Sequence, residues 1–417
     1  MTDDKSTIGV FFGSKSPEHD VSIITATQVI QALRAMDFSV VPVYVSSEGS
    51  FYLGPDTDDP ESETLATVPY FRDNRQENLT QLSEYQLLTQ ELDSGLTFQA
   101  ETMLTTTTVD IDIAFPCFHG PHGEDGALHG LFDLADIPVV GCGQAASTVA
   151  MDKALTKLLY QQFDIPTTEF IYFTSSEWDT FAEKIQEDLK YFSFPLFVKP
   201  ARAGSSIGIS RVEDEDNLPE AIEEAFNYDD KVVVEEGVDD VADLTVALAG
   251  NENPEVSKVQ ESRFESDLFS YDEKYIADGG AQIGGADKQV IIPADIEKGE
   301  RKAVRQTAVE VFTNFELSGI ARVDFLLDRE TRQIYANEIN TMPGTLYKHL
   351  WEESGTSFSQ LLRTLIRSAK QTHQQKTELS YVFDSPVLDH ANTSKFGDSV
   401  VENSQENDET KQPPEDN

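Results

Sequence analysis

Two stretches of the chain carry residue types that could do chemistry together: GIARVDFLLD (319–328) and QIYANEINTMPG (333–344). Both read as strands, and side chains two apart on a strand face the same side. Arg322 and Asp324 therefore share one face, as do Glu338 and Asn340. Laid side by side, two carboxylates, an amide oxygen and a guanidinium would line one surface. Hard oxygen donors of that kind suit a Mg²⁺ ion that also holds substrate phosphates, and the arginine suits an anion. An ordinary ladder of surface charges is the alternative. It is weakened by Asn-Glu-Ile-Asn running straight into Met-Pro-Gly, because a strand ending in such a turn could aim backbone N–H groups at a developing oxyanion.

Three further segments add basic and small residues. In FVKPARAGSSIGIS (197–210), Lys199 ends an apolar strand, and Gly204, Ser205, Ser206 and Gly208 form a donor-rich loop of the kind that folds over phosphates. The loop lacks the GxxxxGK[ST] spacing, and a plain hairpin connection is the competing reading. Lys153 opens a helix with Asp152 as its N-cap, where a solvated lysine is the ordinary expectation. SYDEKYIADGG places Lys274 and Tyr275 in a polar, glycine-ended stretch, either a lid or a surface loop. HGPHGEDGALHG (119–130) holds three of the seven histidines, yet zinc would need them to converge. His129 is expected on the polar face of a helix beginning near Asp125, beside Asp133 and Asp136, and His122 in a loop. Glu124 and Asp125 could cap that helix. Glu18 could likewise cap the helix that starts at Asp20.

The elements that must position these residues follow from patterning. STIGVFFG reads as a first strand, Asp20 to Met36 as a helix and FSVVPVYVS as a second strand, the start of a doubly wound parallel sheet. Residues 54–108, rich in Asp, Thr and Gln, read as an irregular insertion with a short helix. VDIDIAFPCFHG resumes as a strand, and IPVVGCG closes the first domain. MDKALTKLLYQQFDI is helical, with Leu155, Leu158, Leu159 and Phe163 on one stripe. KVVVEEGV and DLTVALAG are strands, HLWEESGTSFSQLLRTLIRSA is a closing helical region, and the chain from about Gln371 reads as a disordered tail.

Composition bounds the rest. At 417 residues the chain exceeds one ordinary core. The expected divisions are an α/β domain at 1–148, a central unit at 149–230, a C-terminal unit at 231–370 and the tail at 371–417. No stretch approaches the roughly 18 apolar residues of a membrane helix, and the acidic start MTDDKST is not a signal peptide. Cys117 and Cys142 are the only cysteines, which suits a reduced, cytoplasmic protein. With 31 Lys and Arg against 75 Asp and Glu, the net charge is −44. Nucleic acid and anionic membrane are thereby excluded as partners.

In this order, GVFFGSKSPEHDVSI, PCFHGPHGEDG, AMDKALTK, VKPARAGSSIGIS, VVVEEGV, YDEKY, ARVDFLLD and NEINTMPG resemble the D-alanine–D-alanine ligases of the ATP-grasp superfamily, from about Ile8 to Ala369. The resemblance implies a doubly wound N-terminal domain followed by a two-part ATP-grasp fold, acting as a cytoplasmic homodimer on D-alanine and ATP, with two Mg²⁺ (or Mn²⁺). It implies that Lys153 and Lys199 contact ATP phosphates under a loop carrying Ser205 and Ser206, and that Lys274 reaches the γ-phosphate. Glu235, Glu236 and Val238 would hold adenine and Asp243 the ribose, one residue further along than usual. Asp324, Glu338 and Asn340 would bind the metals. Arg322 and the Gly344 amide would stabilise an oxyanion, and Glu18 would pair with the first substrate's ammonium. Glu18, Ser205 and Tyr275 would link three segments, and His119 and Glu124 would shape the first D-alanine pocket. The chain departs from the family after Met-Pro-Gly, where a serine-bearing turn is shortened, and in the lengthened lid. Tyr347, Lys348 or His349 would substitute there, Lys348 suiting a carboxylate. Related ligases that use D-lactate or D-serine, and a non-catalytic nucleotide-binding regulator, are the alternatives. Tyr275 favours an amine acceptor.

Overall fold

The computed structural model describes residues 6–387 apart from 55–64, 66, 74, 81, 89–94, 102–104 and 264–289. The first strand, β1 (Thr7–Gly13), pairs in parallel with β2 (Ser39–Val45) and β7 (Ile113–Pro116). Its side chains alternate between two apolar layers, as the two-residue period requires. Ile8, Val10 and Phe12 pack with Ile23, Ala26, Ile30 and Leu33 of helix α1 (His19–Arg34), while Phe11 meets Phe98 and Phe132 on the other face. Burial on both faces explains the continuous apolar run.

The insertion is more regular than its composition suggests. It supplies β3 (Phe51–Leu53), β4 (Glu84–Leu87), β5 (Leu96–Glu101) and β6 (Thr106–Ile111), which extend the sheet antiparallel in the order β6-β5-β4-β3-β2-β1-β7. Two short helices, α2 (Val68–Arg72) and α3 (Arg75–Thr80), lie within it. Leu96, Phe98 and Ala100 alternate inward, a period-2 signal diluted by threonine and glutamine. The sheet is therefore parallel only at β2, β1 and β7, and antiparallel across the inserted strands.

Beyond α4 (Ala127–Leu134) and α5 (Gln144–Met151), helix α6 (Lys153–Gln162) starts on Asp152, whose carboxylate accepts from the Ala154 and Leu155 amides at 3.0 and 3.1 Å. Its leucine stripe is split: Leu155, Leu158 and Phe163 are exposed, Leu159 packs partly buried on the core, and Ala154, Thr156, Lys157 and Tyr160 are buried. A four-stranded antiparallel sheet follows, in the order β10 (Ser210–Val212), β9 (Leu196–Pro200), β11 (Lys231–Glu236), β8 (Phe170–Thr174). Helices α7 (Ser175–Leu189) and α8 (Leu218–Ala225) cover it.

The third sheet is built around three long or central strands, β12 (Val241–Gly250), β16 (Gly319–Asp328) and β17 (Ile334–Asn340). Short strands β13 (Glu255–Val256), β14 (Gln260–Ser262) and β15 (Val290–Ile291) flank β12. Helix α9 (Lys298–Asn314) packs Val304, Ala308, Val311 and Phe312 against one face. On the other face Ala247, Ala249 and Ile320 join Met342, Leu346, Leu350, Trp351 and the N-terminal core in one apolar cluster. Helices α10 (Lys348–Ser354) and α11 (Phe358–Thr377) complete that cluster. Helix α11 runs past Gln371, so the polar tail begins later than its composition suggests.

Candidate active site

The register of β16 on β17 pairs Arg322 with Asn340 and Asp324 with Glu338, and an irregularity follows directly after Asp324. Arg322 is buried. Its Nε donates to both Asp324 oxygens at 3.0 Å, and one Nη reaches Asp324 at 2.6 Å and Glu338 at 3.6 Å. Thr245, opposite Asp324 on β12, donates to Asp324 Oδ1 at 2.8 Å, and the Asn340 amide nitrogen lies 3.3 Å from Oδ2. Burial raises the Asp324 pKa, Arg322 opposes that rise, and the neighbouring Glu338 charge adds to it. Among the described residues no three His, Cys, Asp or Glu side chains converge as a metal cluster. The candidate donor set is two carboxylates and one amide.

This wall faces a cavity of about 620 Å³, a size ordinary for small-molecule sites. Lys153, Lys199, Ser205, Ser206, Glu235, Glu236, Val238 and Asp243 line it with Arg322, Asp324 and Glu338. The Lys153 ammonium, at the start of α6, donates to the Ala203 carbonyl at 2.6 Å. Glu235 is consumed by lysines: one carboxylate oxygen meets Lys199, and the other meets the buried Lys157 at 2.6 Å. Lys157 also donates to the Thr167 and Thr168 hydroxyls at 2.8 Å. Burial alone would raise the Glu235 pKa, but the two ammonium groups win and hold it well below the usual carboxylate range. The Glu235 side chain is thus an ion-pair anchor at the wall of the larger cavity. Glu236 accepts from the Ser193 amide at 2.7 Å, and Val238 lines the cavity beside it.

A second cavity of about 50 Å³ adjoins the first and is lined by Glu18, Glu124, Met151 and Asn340. Lys153, Gly204, Ser205, Arg322 and Glu338 border both cavities. The Ser205 hydroxyl donates to the Glu18 carboxylate. Ser205 and Ser206 both sit in the left-handed region, at φ 54° and 59°. Gly204 and Gly120 pack flush on Glu18, since a Cβ at either would fall 2.9 or 2.6 Å from Oε2. Glu18 makes no side-chain cap to α1, so its capping alternative drops out.

Glu124 spans the site. One oxygen accepts from the Gly120 amide at 2.8 Å and the other from the Met342 amide at 3.2 Å. Burial, and then the Glu18 charge, raise its pKa. It does not cap α4; Asp125 instead accepts from the Ala127 amide at 3.0 Å. His119 is buried, 2.8 Å from the Thr25 hydroxyl, and burial lowers its pKa against the opposing Glu18 charge. His122 is exposed and near Asp125. His129 is buried rather than on a polar face, because α4 turns that side toward the protein.

Lys348 and Gly344 stand outside both cavities. Lys348 lies 3.8 Å from Glu352, four residues on along α10, and over the Phe358 ring. Gly344 opens the 3₁₀ turn Gly344–Tyr347. The residue that reaches the cavity is Tyr347. Lys274 and Tyr275 lie outside the described residues. The sequence reading named Tyr347 only as one of three substitutes after Met-Pro-Gly, and it missed Lys157 and Thr245, and also Arg263 and Arg329, which share the buried Glu261 at 2.8 and 2.6 Å. Lys157 is one helical turn beyond Lys153, and Thr245 is two residues beyond Asp243 on one strand face, so both carried a readable spacing.

Family models described as D-ala D-ala ligase N-terminus and D-ala D-ala ligase C-terminus match residues 7–142 and 159–367. A D-alanine–D-alanine ligase of Thermosipho africanus is 34% identical over 383 residues, spanning 92% of this chain and 98% of that protein. One from Acetivibrio thermocellus is 36% identical over 382 residues, spanning 89% and 97%. Among solved structures, the D-alanine-D-alanine ligase from Coxiella burnetii superposes with a TM-score of 0.74 at 27% identity, covering 90% of this chain and 97% of its own. The VanG D-Ala:D-Ser ligase from Enterococcus faecalis gives 0.72 at 30% identity, covering 88% and 100%.

Proposed function

The chain belongs to the D-alanine–D-alanine ligase family and joins two D-alanines with ATP; from that premise we propose how its residues divide the work. The observation that carries the reading is the shared border of the two cavities. Lys153, Ser205, Arg322 and Glu338 face both, so a phosphoryl group can pass from a nucleotide in the larger to a carboxylate in the smaller.

ATP occupies the larger cavity. Lys153 and Lys199 meet its phosphates under Ser205 and Ser206, the Glu236–Val238 segment meets the base, and Asp243 meets the ribose. The first D-alanine occupies the smaller cavity, its ammonium on Glu18, with Glu124 and His119 shaping the pocket. A carboxylate oxygen of that D-alanine attacks the γ-phosphorus, the bond to ADP breaks, and an acyl phosphate forms. The amine of the second D-alanine then attacks the acyl carbon, Arg322 stabilises the tetrahedral oxyanion, and phosphate leaves. Most of this work is positioning and charge neutralisation. The Ser205–Glu18 bond ties the loop over the site and excludes water.

Asp324, Glu338 and Asn340 fit a divalent cation: they are hard oxygen donors, and the repulsion between the two carboxylates is of the kind such an ion relieves. Mg²⁺ or Mn²⁺ held there supplies neutralisation of the transferring phosphoryl charge. The same reading divides the chain at 148 and 230 and expects a cytoplasmic homodimer. No helix among the described residues is long and apolar enough to cross a membrane.

The test is ADP release that depends on D-alanine, with the product identified in a mixture of D-alanine, D-serine and D-lactate. D-alanyl-D-alanine is expected to dominate at neutral pH. Glu338→Gln should lower turnover by about a hundredfold or more with little change in thermal stability. Unimpaired turnover in that variant would remove the metal assignment, and a dominant depsipeptide would remove the amine acceptor.

A further inference from the structure

Tyr347 is buried, lines the larger cavity, and sets its ring 5.0 Å from the Arg322 guanidinium carbon. On Arg322, Nε and one Nη are committed to Asp324, the latter also approaching Glu338. Among the described residues the other Nη has no hydrogen-bond partner. A guanidinium held along one edge can still swing about that edge, and an aromatic ring on its face removes the freedom. The ring itself is fixed from one other direction. The His349 imidazole lies 5.0 Å from it and donates from Nε2 to Gln260 at 2.7 Å. Thr345, Leu346 and Tyr347 adopt left-handed φ values of 51°, 52° and 51° in succession, and this turn delivers the ring to Arg322.

We propose that Tyr347 is a positioning residue for the ligation: its ring holds Arg322 flat against Asp324 so that the remaining Nη meets the oxyanion. The role is exerted through Arg322, not on the substrate, and it rests on the assignment of Arg322 to the oxyanion.

The test compares Tyr347→Leu, Tyr347→Phe, Arg322→Lys and the Tyr347→Leu, Arg322→Lys double variant, reading kcat, KM for ATP and for D-alanine, and melting temperature. Tyr347→Leu should lower kcat by about 10- to 100-fold, the range a misplaced catalytic group costs, while KM for ATP stays within about threefold. Tyr347→Phe keeps the ring and should retain at least about a third of kcat. In the Arg322→Lys background Tyr347→Leu should cost less than about twofold, because the partner it positions is already gone. Loss of less than about threefold in Tyr347→Leu, or losses that multiply in the double variant, overturn the proposal. So does a folded Tyr347→Phe enzyme below about a tenth of wild-type kcat, an arm independent of whether the leucine variant folds. Full turnover in Arg322→Lys would instead sink the oxyanion assignment beneath it.

Discussion

Glu235 shows how much one side chain's role depends on what surrounds it. It is buried between Lys157 and Lys199, and its carboxyl is held below the usual range by those two charges against the opposing effect of burial. Removing one member of such a buried set leaves an uncompensated charge and costs about 3–5 kcal/mol. Glu235→Gln is therefore expected to destabilise the protein by that order at pH 7, read by urea denaturation. The sign of the pH dependence follows from the lowered pKa. Glu235's contribution is fully present above its ordinary value of 4.5 and is lost as pH falls toward the folded value. The gap between wild type and variant should be constant between about pH 6 and 8 and shrink below about pH 4; a gap that widens on acidification would contradict the ion-pair account.

At the scale of elements, the site depends on where β16 begins and how the chain leaves β17. Gly319, with φ 66°, starts β16 directly against the Gly141 backbone, and a Cβ there would fall 2.7 Å from Gly141 Cα. Neither backbone can yield without shifting the strand that carries Arg322 and Asp324. Gly319→Ala should cost about 2–4 kcal/mol and lower activity with it, measured by urea denaturation and ADP release; a neutral effect would mean that the contact is not tight. At the other end, three consecutive left-handed residues that are not glycine cost about 1–2 kcal/mol each. The turn is retained because Leu346 is fully buried and the Thr345 amide donates to the Thr25 hydroxyl at 3.0 Å, the same hydroxyl that meets His119. Helix α1, the loop that carries His119 and the Gly344–Tyr347 turn are thereby one hydrogen-bonded unit.

The whole molecule carries a net charge of −44, and self-repulsion of that size opposes compaction. Raising NaCl from about 10 mM to about 0.5 M shortens the Debye length from roughly 30 Å to under 5 Å. The melting temperature should therefore rise by several degrees, and a flat or falling response would show that the acidic groups are already compensated locally. Against this background the cations at the site stand out. Lys153, Lys199 and Arg322 line the larger cavity, where an anionic nucleotide has to be accepted by an otherwise acidic protein.

Much of this was legible in the residues themselves. Alternation put Arg322 with Asp324 and Glu338 with Asn340 before any register was known, because the strand period fixes which side chains share a face. Asp152 was readable as an N-cap from its position alone, and the ordered motifs identified the family. The inserted strands were less readable, since threonine and glutamine at alternate positions hide the inward Leu96, Phe98 and Ala100. Helix α6 was readable as a helix, but its apolar stripe records spacing and not which neighbour arrives: Leu155 and Leu158 face outward while Lys157 is buried on Glu235. Only the tertiary structure could assign Glu235 to two lysines from separate elements, turn Lys348 away toward Glu352, and bring Tyr347 onto Arg322. The Glu235 and Tyr347 contacts join segments far apart in the chain, which local periodicity cannot supply, whereas the Lys348–Glu352 pair is one helical turn long and only the packing around it decides which way Lys348 points.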